Sequence, residues 1–164
     1  VEQEDQNSFP YIIPLGGSNP VGSMGYVLCA KELFTQMKEQ NLPQIEKIYL
    51  ATSSYGTQAG LIVGASIYGN EILGYVPQII GVDVDGAADG KPIEETVFSL
   101  CEGICNILSC SPISREHVRV LCGYGGLGYG QPTEQSREWI IKLARLDGIL
   151  LDPVYSGKAF TGMM

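Results

Sequence analysis

The segment with the clearest chemical potential is a hydroxyl-rich turn at residues 52–60, TSSYGTQAG. It lies between a predicted buried strand and the start of a predicted helix, where unpaired backbone N–H groups and the helix dipole favour an anion. Ser53, Ser54 and Thr57 add hydroxyl groups, and the turn contains no Lys or Arg. Because a nucleotide P-loop requires Gly-Lys-Ser or Gly-Lys-Thr, the turn is better suited to a single phosphate monoester. The alternative is a Ser/Gly turn that only caps the helix.

A second candidate is the glycine-rich run at residues 123–128, with Tyr129 directly after it. The run formally matches the dinucleotide-binding fingerprint, but that fingerprint needs a helix to open inside the glycines. Residues 129–132 separate the run from the next predicted helix, so dinucleotide binding is disfavoured. A loop tyrosine at the carboxyl end of a parallel strand can act as an acid, a base or a nucleophile when its pKa is shifted. A plain surface aromatic residue is an equally good interpretation.

A third candidate is the pair Tyr155 and Ser156, within the sequence LLDPVYSGK of residues 150–158. We expect Leu150 and Leu151 to begin a short buried strand, which would put the pair at a strand's carboxyl end. A phenol beside a hydroxyl could stack on a planar cofactor and bond its ring nitrogen. The alternative is that both are ordinary strand-end residues.

The five cysteines predict no metal centre. Cys101 and Cys105 lie one helical turn apart, a spacing that can hold a metal, but the single His117 gives little support as a further ligand. Buried free cysteine behaves as a small hydrophobic residue, and we prefer that interpretation. An odd number of cysteines without an export signal favours a reduced, cytoplasmic setting.

The elements that must position these residues alternate along the chain. Apolar periodicity predicts strands at 11–13, 45–51, 78–84 and 118–122, and helices at 25–40, 58–68, 93–108 and 133–146. Residues 78–84 form a near-continuous β-branched run, which is typical of a strand buried on both faces of a parallel sheet, with Asp83 and Asp85 at its carboxyl end. The alternation predicts an α/β fold with an open, mostly parallel sheet and helices on both faces.

Composition and charge narrow the range of partners. The 10 basic and 18 acidic residues give a net charge of -8, which disfavours a surface that must neutralise many phosphates, so we expect no nucleic-acid partner. The longest apolar run is far shorter than a bilayer span, so we expect no membrane partner. We interpret residues 1–9 as a flexible lead-in and the chain as a piece of a longer protein, because it begins without Met.

Four sequence blocks, in this order, resemble the 1-aminocyclopropane-1-carboxylate (ACC) deaminase and D-cysteine desulfhydrase family of pyridoxal-phosphate enzymes. The blocks are PLGGSNP at 14–20, GTQAG at 56–60, GYG at 128–130 and DPVYSGK at 152–158. The family has the tryptophan-synthase-β-like fold, or fold type II. The resemblance implies that residues 10–164 are the C-terminal part of the catalytic domain that binds pyridoxal 5'-phosphate, truncated at both ends.

The resemblance also implies roles for individual residues. The implied cofactor-binding residues are Ser53, Ser54, Tyr55, Gly56, Thr57 and Ser156. The first five would cradle the phosphate, and Ser156 would partner the pyridine nitrogen. Tyr129 and Tyr155 are the implied catalytic residues and would face the substrate. In the family the Schiff-base lysine lies upstream, in a block that this chain lacks; Lys158 would sit near the wrong edge of the cofactor, so we interpret it as a surface or helix-start lysine.

The residue at position 156 decides the expected activity. The resemblance implies that cyclopropane-opening deaminases usually carry Glu there and that desulfhydrases usually carry Thr. The hydroxyl of Ser156 would leave the ring nitrogen unprotonated, which favours α-proton abstraction and β-elimination, so we expect D-cysteine desulfhydrase activity on a small amino-acid substrate. The alternatives are ACC deaminase and, because the lysine is missing, a non-catalytic fragment that binds only a phosphorylated ligand. The expected protein partners are the missing N-terminal segment and a second copy in a homodimer.

Overall fold

The computed structural model describes residues 10–87 and 89–164, and in them strands alternate with helices. The strands are β1 (Lys47–Thr52), β2 (Gln78–Asp83) and β3 (Arg119–Leu121). The helices are α1 (Pro20–Glu39), α2 (Gly56–Leu73), α3 (Lys91–Leu108), α4 (Glu134–Asp147) and α5 (Ser156–Met163).

The strands form one parallel sheet in the order β1-β2-β3. β2 lies between the other two, and its β-branched run is almost entirely buried, as a strand covered on both faces should be. Thr52 pairs with Asp83, and Val82 pairs with Leu121. The carboxyl ends of the strands therefore lie at one edge, which is where open parallel sheets place their ligand crevices.

Helices cover both faces of the sheet. On one face α1, α2 and α3 pack around a core that contains Phe34, Val63, Ile79 and Val97. On the other face α5 packs against β1 and β2. The α/β fold with helices on both faces is thus confirmed. No helix in the described part of the chain combines the length and the apolar character needed to cross a bilayer.

The first helix begins at Pro20, earlier than the predicted start at Gly25. Asn19 Oδ1 accepts a hydrogen bond from the Gly22 N–H at 2.7 Å, and Pro20 supplies a fixed helical φ in the first turn. The Asn-Pro pair therefore sets the start of α1, five residues before the position at which the apolar periodicity begins.

Two predicted strands are wrong. In the structure, residues 11–13 and 150–151 are not strands, and all of their apolar side chains except that of Leu151 lie largely in solvent, with Ile12 83% and Leu150 84% exposed. Apolar composition suggested buried strands, but a strand also needs a neighbour for its backbone hydrogen bonds. Within the described residues the sheet has only β1, β2 and β3, and neither segment pairs with them.

The chain after residue 151 turns into α5 instead of continuing a strand. The carboxylate of Asp152 accepts hydrogen bonds from the N–H groups of Val154, Tyr155 and Ser156 at 2.8, 2.7 and 2.8 Å. Burial raises the pKa of Asp152, but these bonds and that of the Ser156 hydroxyl outweigh it and lower the pKa to about 2. Tyr155 and Ser156 therefore lie at the start of a helix and not at the end of a strand.

Candidate active site

A cavity of about 440 Å³ brings together residues from distant parts of the chain. Its lining residues are Leu15, Gly16, Ser53, Ser54, Asp85, Tyr129 and Tyr155. Ser53 and Ser54 follow β1, and Asp85 follows β2, so the cavity lies at the carboxyl edge of the sheet. The two predicted catalytic tyrosines and two of the predicted phosphate-binding residues thus share one cavity.

The hydroxyl-rich turn is held by contacts on both of its sides. The Ser53 hydroxyl donates to Asp85 Oδ2 at 2.8 Å, and the Gly56 N–H donates to Ser18 Oγ at 3.2 Å. A Cβ on Gly56 would lie 2.8 Å from Ser18 Oγ and 2.9 Å from Ser23 Oγ. Any larger residue at position 56 would displace these serine hydroxyls where the turn enters α2.

The tyrosine in this turn packs inward. Tyr55 directly precedes α2 with a φ of 72°, in the left-handed region, and its side chain packs against the apolar core. Burial, with the charges of Asp85 and Asp83, raises its pKa. Tyr55, Gly56 and the half-buried Thr57 therefore contribute the backbone at the start of α2, while Ser53 and Ser54 line the cavity.

The residues at the start of α2 fit a phosphate monoester. α2 is 18 residues long, and the start of such a helix offers unpaired N–H groups and a partial positive charge. Gly16 faces Ser54, where a Cβ would lie 2.3 Å from Ser54 Oγ. The glycine leaves this hydroxyl the room that a ligand at the turn requires, and the two serine hydroxyls add hydrogen-bonding groups.

The two tyrosines form a pair. Their hydroxyl groups are hydrogen-bonded, and their rings meet edge to face with centroids 5.8 Å apart. The hydrogen bond to Tyr129, with burial, raises the pKa of Tyr155. The Tyr155 phenol is therefore protonated at neutral pH.

Ser156 lies outside the cavity that holds the tyrosine hydroxyls. It lines a neighbouring cavity of about 300 Å³, which Tyr155 also lines. Its Oγ accepts from the Asp152 N–H at 2.7 Å and donates to the Asp152 carboxylate. The hydroxyl thus helps to cap α5, and its role as partner of the pyridine nitrogen stays a prediction.

Asp85 is a site residue that the sequence interpretation placed at the end of a strand without giving it a role. It accepts the Ser53 hydroxyl with Oδ2, while its Oδ1 is buried and accepts no hydrogen bond from the residues that the structure describes. Asp83 fixes the turn by accepting from the N–H groups of Asp85, Gly86 and Ala87 at 3.2, 3.0 and 2.7 Å. The sequence signal that could have identified Asp85 is its position just after a buried parallel strand.

Lys158 lies in the first turn of α5, as a helix-start lysine would, but it is not on the surface. It is completely buried, with 0% of its surface exposed. Its Nζ donates to the carbonyl oxygens of Val84, Gly125 and Gly128. Burial lowers its pKa, and Asp85 and Asp83 act in the opposite direction. Three acceptors occupy the three protons of an ammonium group, which leaves no lone pair for a covalent bond.

The glycine run before Tyr129 directs carbonyl oxygens at this ammonium group, whereas a dinucleotide site directs N–H groups at a pyrophosphate. The next helix, α4, begins only at Glu134. The segment therefore matches the dinucleotide fingerprint in its glycine spacing but does not have the geometry of a dinucleotide site.

The cysteines of α3 lie in the apolar core. Cys101 and Cys105 are buried there, and burial raises the pKa of Cys101 to about 12. They behave as the small hydrophobic residues that the sequence interpretation preferred. Across residues 10–87 and 89–164, no three His, Cys, Asp or Glu side chains are grouped as metal ligands would be.

Comparison with known proteins places these residues in a family. Residues 2–164 match the sequence profile of the family described as pyridoxal-phosphate dependent enzyme. The chain belongs to this family. The resemblance drawn from the four sequence blocks is confirmed, and so is pyridoxal phosphate as the cofactor.

Two curated relatives show how far the likeness extends. A Pyrococcus abyssi protein named "Putative 1-aminocyclopropane-1-carboxylate deaminase" is 36% identical over 163 residues, which are 99% of this chain and 46% of the relative. A Klebsiella pneumoniae protein named D-cysteine desulfhydrase is 38% identical over 162 residues, 98% of this chain and 46% of the relative. The chain thus spans about half the length of these relatives.

The fold of a solved relative agrees. A crystal structure of an ACC deaminase homologue superposes with a TM-score of 0.75 at 31% identity, covering 94% of this chain and 43% of that one. The parallel sheet with its flanking helices therefore corresponds to part of the fold of this solved relative.

Proposed function

We propose that the complete protein containing this chain is a D-cysteine desulfhydrase, which converts D-cysteine and water into pyruvate, hydrogen sulfide and ammonia. The observation that carries the proposal is the cavity in which two hydroxyls at the start of a helix face two hydrogen-bonded phenols. Membership of the pyridoxal-phosphate family and the name of the Klebsiella pneumoniae relative support it.

The start of α2 would hold the cofactor phosphate through Ser54 and the N–H groups of the first turn, and Ser53 would join them by turning its hydroxyl away from Asp85. Pyridoxal phosphate, when bound, supplies an electron sink beside the amino group of an amino acid. The buried Oδ1 of Asp85, which accepts nothing from the described residues, would receive a hydrogen-bond donor of the bound molecules. The described part of the cavity lining thus supplies hydroxyl groups and, at 2.8 Å from the Ser53 hydroxyl, a carboxylate.

The tyrosine pair would handle a proton. Tyr155 carries a proton on its Oη at neutral pH, as tyrosines ordinarily do, and Tyr129 can replace that proton through the hydrogen bond between them. Tyr155 Oη would donate to the sulfur atom that leaves the substrate.

The choice of substrate rests on the role that the resemblance implies for Ser156, whose hydroxyl would have to turn from the Asp152 carboxylate to the ring nitrogen. This position carries a neutral hydroxyl, which Asp152 orients at the start of α5. A neutral hydroxyl does not keep a ring nitrogen protonated as a carboxylate does, so the electron sink is weaker. A weaker sink suits the loss of a good leaving group such as sulfide better than the opening of a cyclopropane ring.

ACC deaminase is the second candidate, with ACC and water giving 2-oxobutyrate and ammonia. The name of the Pyrococcus abyssi relative and the solved ACC deaminase homologue favour it. The same phosphate turn and tyrosine pair would serve either substrate.

The deciding experiment assays the complete protein with each substrate. We expect sulfide and pyruvate from D-cysteine in equal amounts, and much slower release of 2-oxobutyrate from ACC. Preferential turnover of ACC would select the second candidate, and turnover of neither compound would reject both.

A binding measurement tests the phosphate turn separately. Ser54→Ala should weaken pyridoxal phosphate binding by about 10- to 150-fold, because a hydrogen bond to a charged group is worth about 1.5–3 kcal/mol. Ser114→Ala is the matched control, since Ser114 is a surface residue that bonds Glu116. Equal affinity of the two variants would contradict the assignment of the turn.

A further inference from the structure

A buried ammonium group connects the parts of the chain that form the cavity. Lys158 Nζ donates to the carbonyl oxygens of Val84 at 2.8 Å, Gly125 at 2.8 Å and Gly128 at 3.0 Å. Val84 immediately precedes Asp85, and Gly128 immediately precedes Tyr129. One side chain thus binds the backbone beside two residues that line the cavity.

The loop that carries Tyr129 depends on the same carbonyl groups. The Gly128 N–H donates to Gly125 O at 3.3 Å, and the Gln131 N–H donates to Gly128 O at 3.2 Å, which closes two consecutive turns. Both of these acceptors also accept from Lys158, so the ammonium group anchors both turns. The glycines of the loop have no side chains to pack and lose much conformational entropy on folding, so backbone contacts of this kind must order it.

α5 brings the ammonium group and a phenol to the same loop. Tyr155 immediately precedes the helix, and Lys158 lies in its first turn. The phenol bonds the hydroxyl of Tyr129, while the ammonium group bonds the carbonyl of the residue before it. The position of Tyr129 relative to Tyr155 is therefore fixed both at its side-chain hydroxyl and at the backbone that precedes it.

We propose that Lys158 is a positioning residue, whose ammonium group fixes the loop at residues 125–131 so that Tyr129 stays aligned with Tyr155. The proposal rests on the proposed function insofar as the two phenols handle the proton. Lys158 itself touches neither the cavity nor a reacting atom.

The first test is hydrogen exchange on the complete protein with Lys158→Met, which keeps the apolar stem and removes the charge. We expect amides of residues 125–131 to exchange at least about tenfold faster, while amides of α2 exchange as in the parent. Lys142→Met is the matched control, because Lys142 is an exposed lysine over the ring of Trp139 and should leave the loop unchanged. Unchanged exchange in Lys158→Met would overturn the proposal.

The second test is a double-mutant cycle on turnover of whichever of D-cysteine and ACC the parent accepts. Lys158→Met should lower kcat by about 10- to 100-fold, as small misplacements of catalytic groups do, with little change in KM. In a Tyr129→Phe background the same change should have almost no further effect, because the lysine acts through Tyr129. An equal loss in both backgrounds would show a merely structural role and overturn the proposal.

Lys158→Gln provides a second variant, since its amide keeps two of the three donors without a charge. We expect loop exchange and kcat between those of the parent and Lys158→Met. If neither variant gives a folded protein by circular dichroism, the lysine serves global stability and the positioning role is rejected. If the parent turns over neither substrate, the proposed function fails while the exchange measurement still decides the role of Lys158.

Discussion

Tyr155 and Asp152 are three positions apart, and neighbouring groups move their pKa values in opposite directions. A phenol that hydrogen-bonds Tyr155 raises its pKa, which favours the protonated form. Around Asp152, hydrogen bonds from Ser156, Tyr155 and Val154 outweigh burial and bring the pKa to about 2, which favours the carboxylate. At the scale of single residues, the site thus keeps a proton on the group that would donate it and a negative charge on the group that caps α5.

We predict that Tyr129→Phe lowers the pKa of Tyr155 toward the ordinary tyrosine value of about 10. The change removes the hydrogen bond that favours the protonated phenol. The measurement is an NMR titration of ring-labelled tyrosine, with Tyr155→Phe to assign the signal. Tyr68→Phe is the control, because Tyr68 lies beside Lys31, and it should leave the titration of Tyr155 as it was. A Tyr155 pKa that stays or rises in Tyr129→Phe would contradict the pairing.

At the scale of elements, the hydroxyl-rich turn before α2 is positioned by the close packing of α1 on α2. A Cβ on Gly60 would lie 2.3 Å from the carbonyl oxygen of Ser23, and one on Gly64 would lie 2.6 Å from Ala30 Cβ. The two helices can approach this closely only because α2 has glycines on the contact face. The start of α2 is therefore held where Ser18 and Ser23 meet Gly56.

We predict that Gly60→Ala destabilises the protein by about 1–3 kcal/mol, because the added methyl group would overpack the interface against backbone atoms. Gly25→Ala is the matched control, since a Cβ there meets nothing within 4 Å, and Ala in place of a helical Gly should stabilise by about 0.5–1 kcal/mol. Urea denaturation measures both free energies of unfolding. Equal effects of the two substitutions would refute the close α1–α2 contact.

At the scale of the whole molecule, one apolar core joins α1, α2 and α3 to the sheet. Cys101 lies in that core, whereas Cys29 lies on the exposed side of α1. Thiol reactivity requires both access and the thiolate form. Labelling of Cys29 therefore measures thiol reactivity at the surface, and labelling of Cys101 measures opening of the core.

We predict that a thiol reagent at neutral pH modifies Cys29 in the folded protein and modifies Cys101 only when the protein unfolds. Burial raises the pKa of Cys101 to about 12. The reagent therefore cannot reach the sulfur of Cys101 in the folded protein, and very little of this thiol is ionised at neutral pH. Mass mapping of the labelled sites across a urea series measures this, and Cys29→Ser should abolish the fast phase. Labelling of Cys101 at the rate of Cys29 in the absence of urea would show that the core is open.

Local sequence patterns determined the elements and much of the chemistry. The β-branched run of β2 and the helical periodicities are properties of neighbouring residues, so they predicted the α/β fold, and the hydroxyl-rich turn before α2 was singled out in the same way as a candidate phosphate site. Tyr129 and Tyr155 were also identified from their local settings. The predicted strands at 11–13 and 150–151 are wrong, because strand formation depends on a pairing partner elsewhere in the chain and not on apolar residues alone.

Tertiary structure alone decided which of these groups meet. Tyr129 and Tyr155 are 26 positions apart, Ser53 and Asp85 are 32 apart, and Lys158 binds a carbonyl 74 positions away. No local pattern encodes such contacts, since they depend on how α5 and the loops pack at the carboxyl edge of the sheet. The burial of Lys158 is the clearest case: a lysine favours solvent unless a folded backbone supplies acceptors for all of its protons, and only the packed chain supplies them.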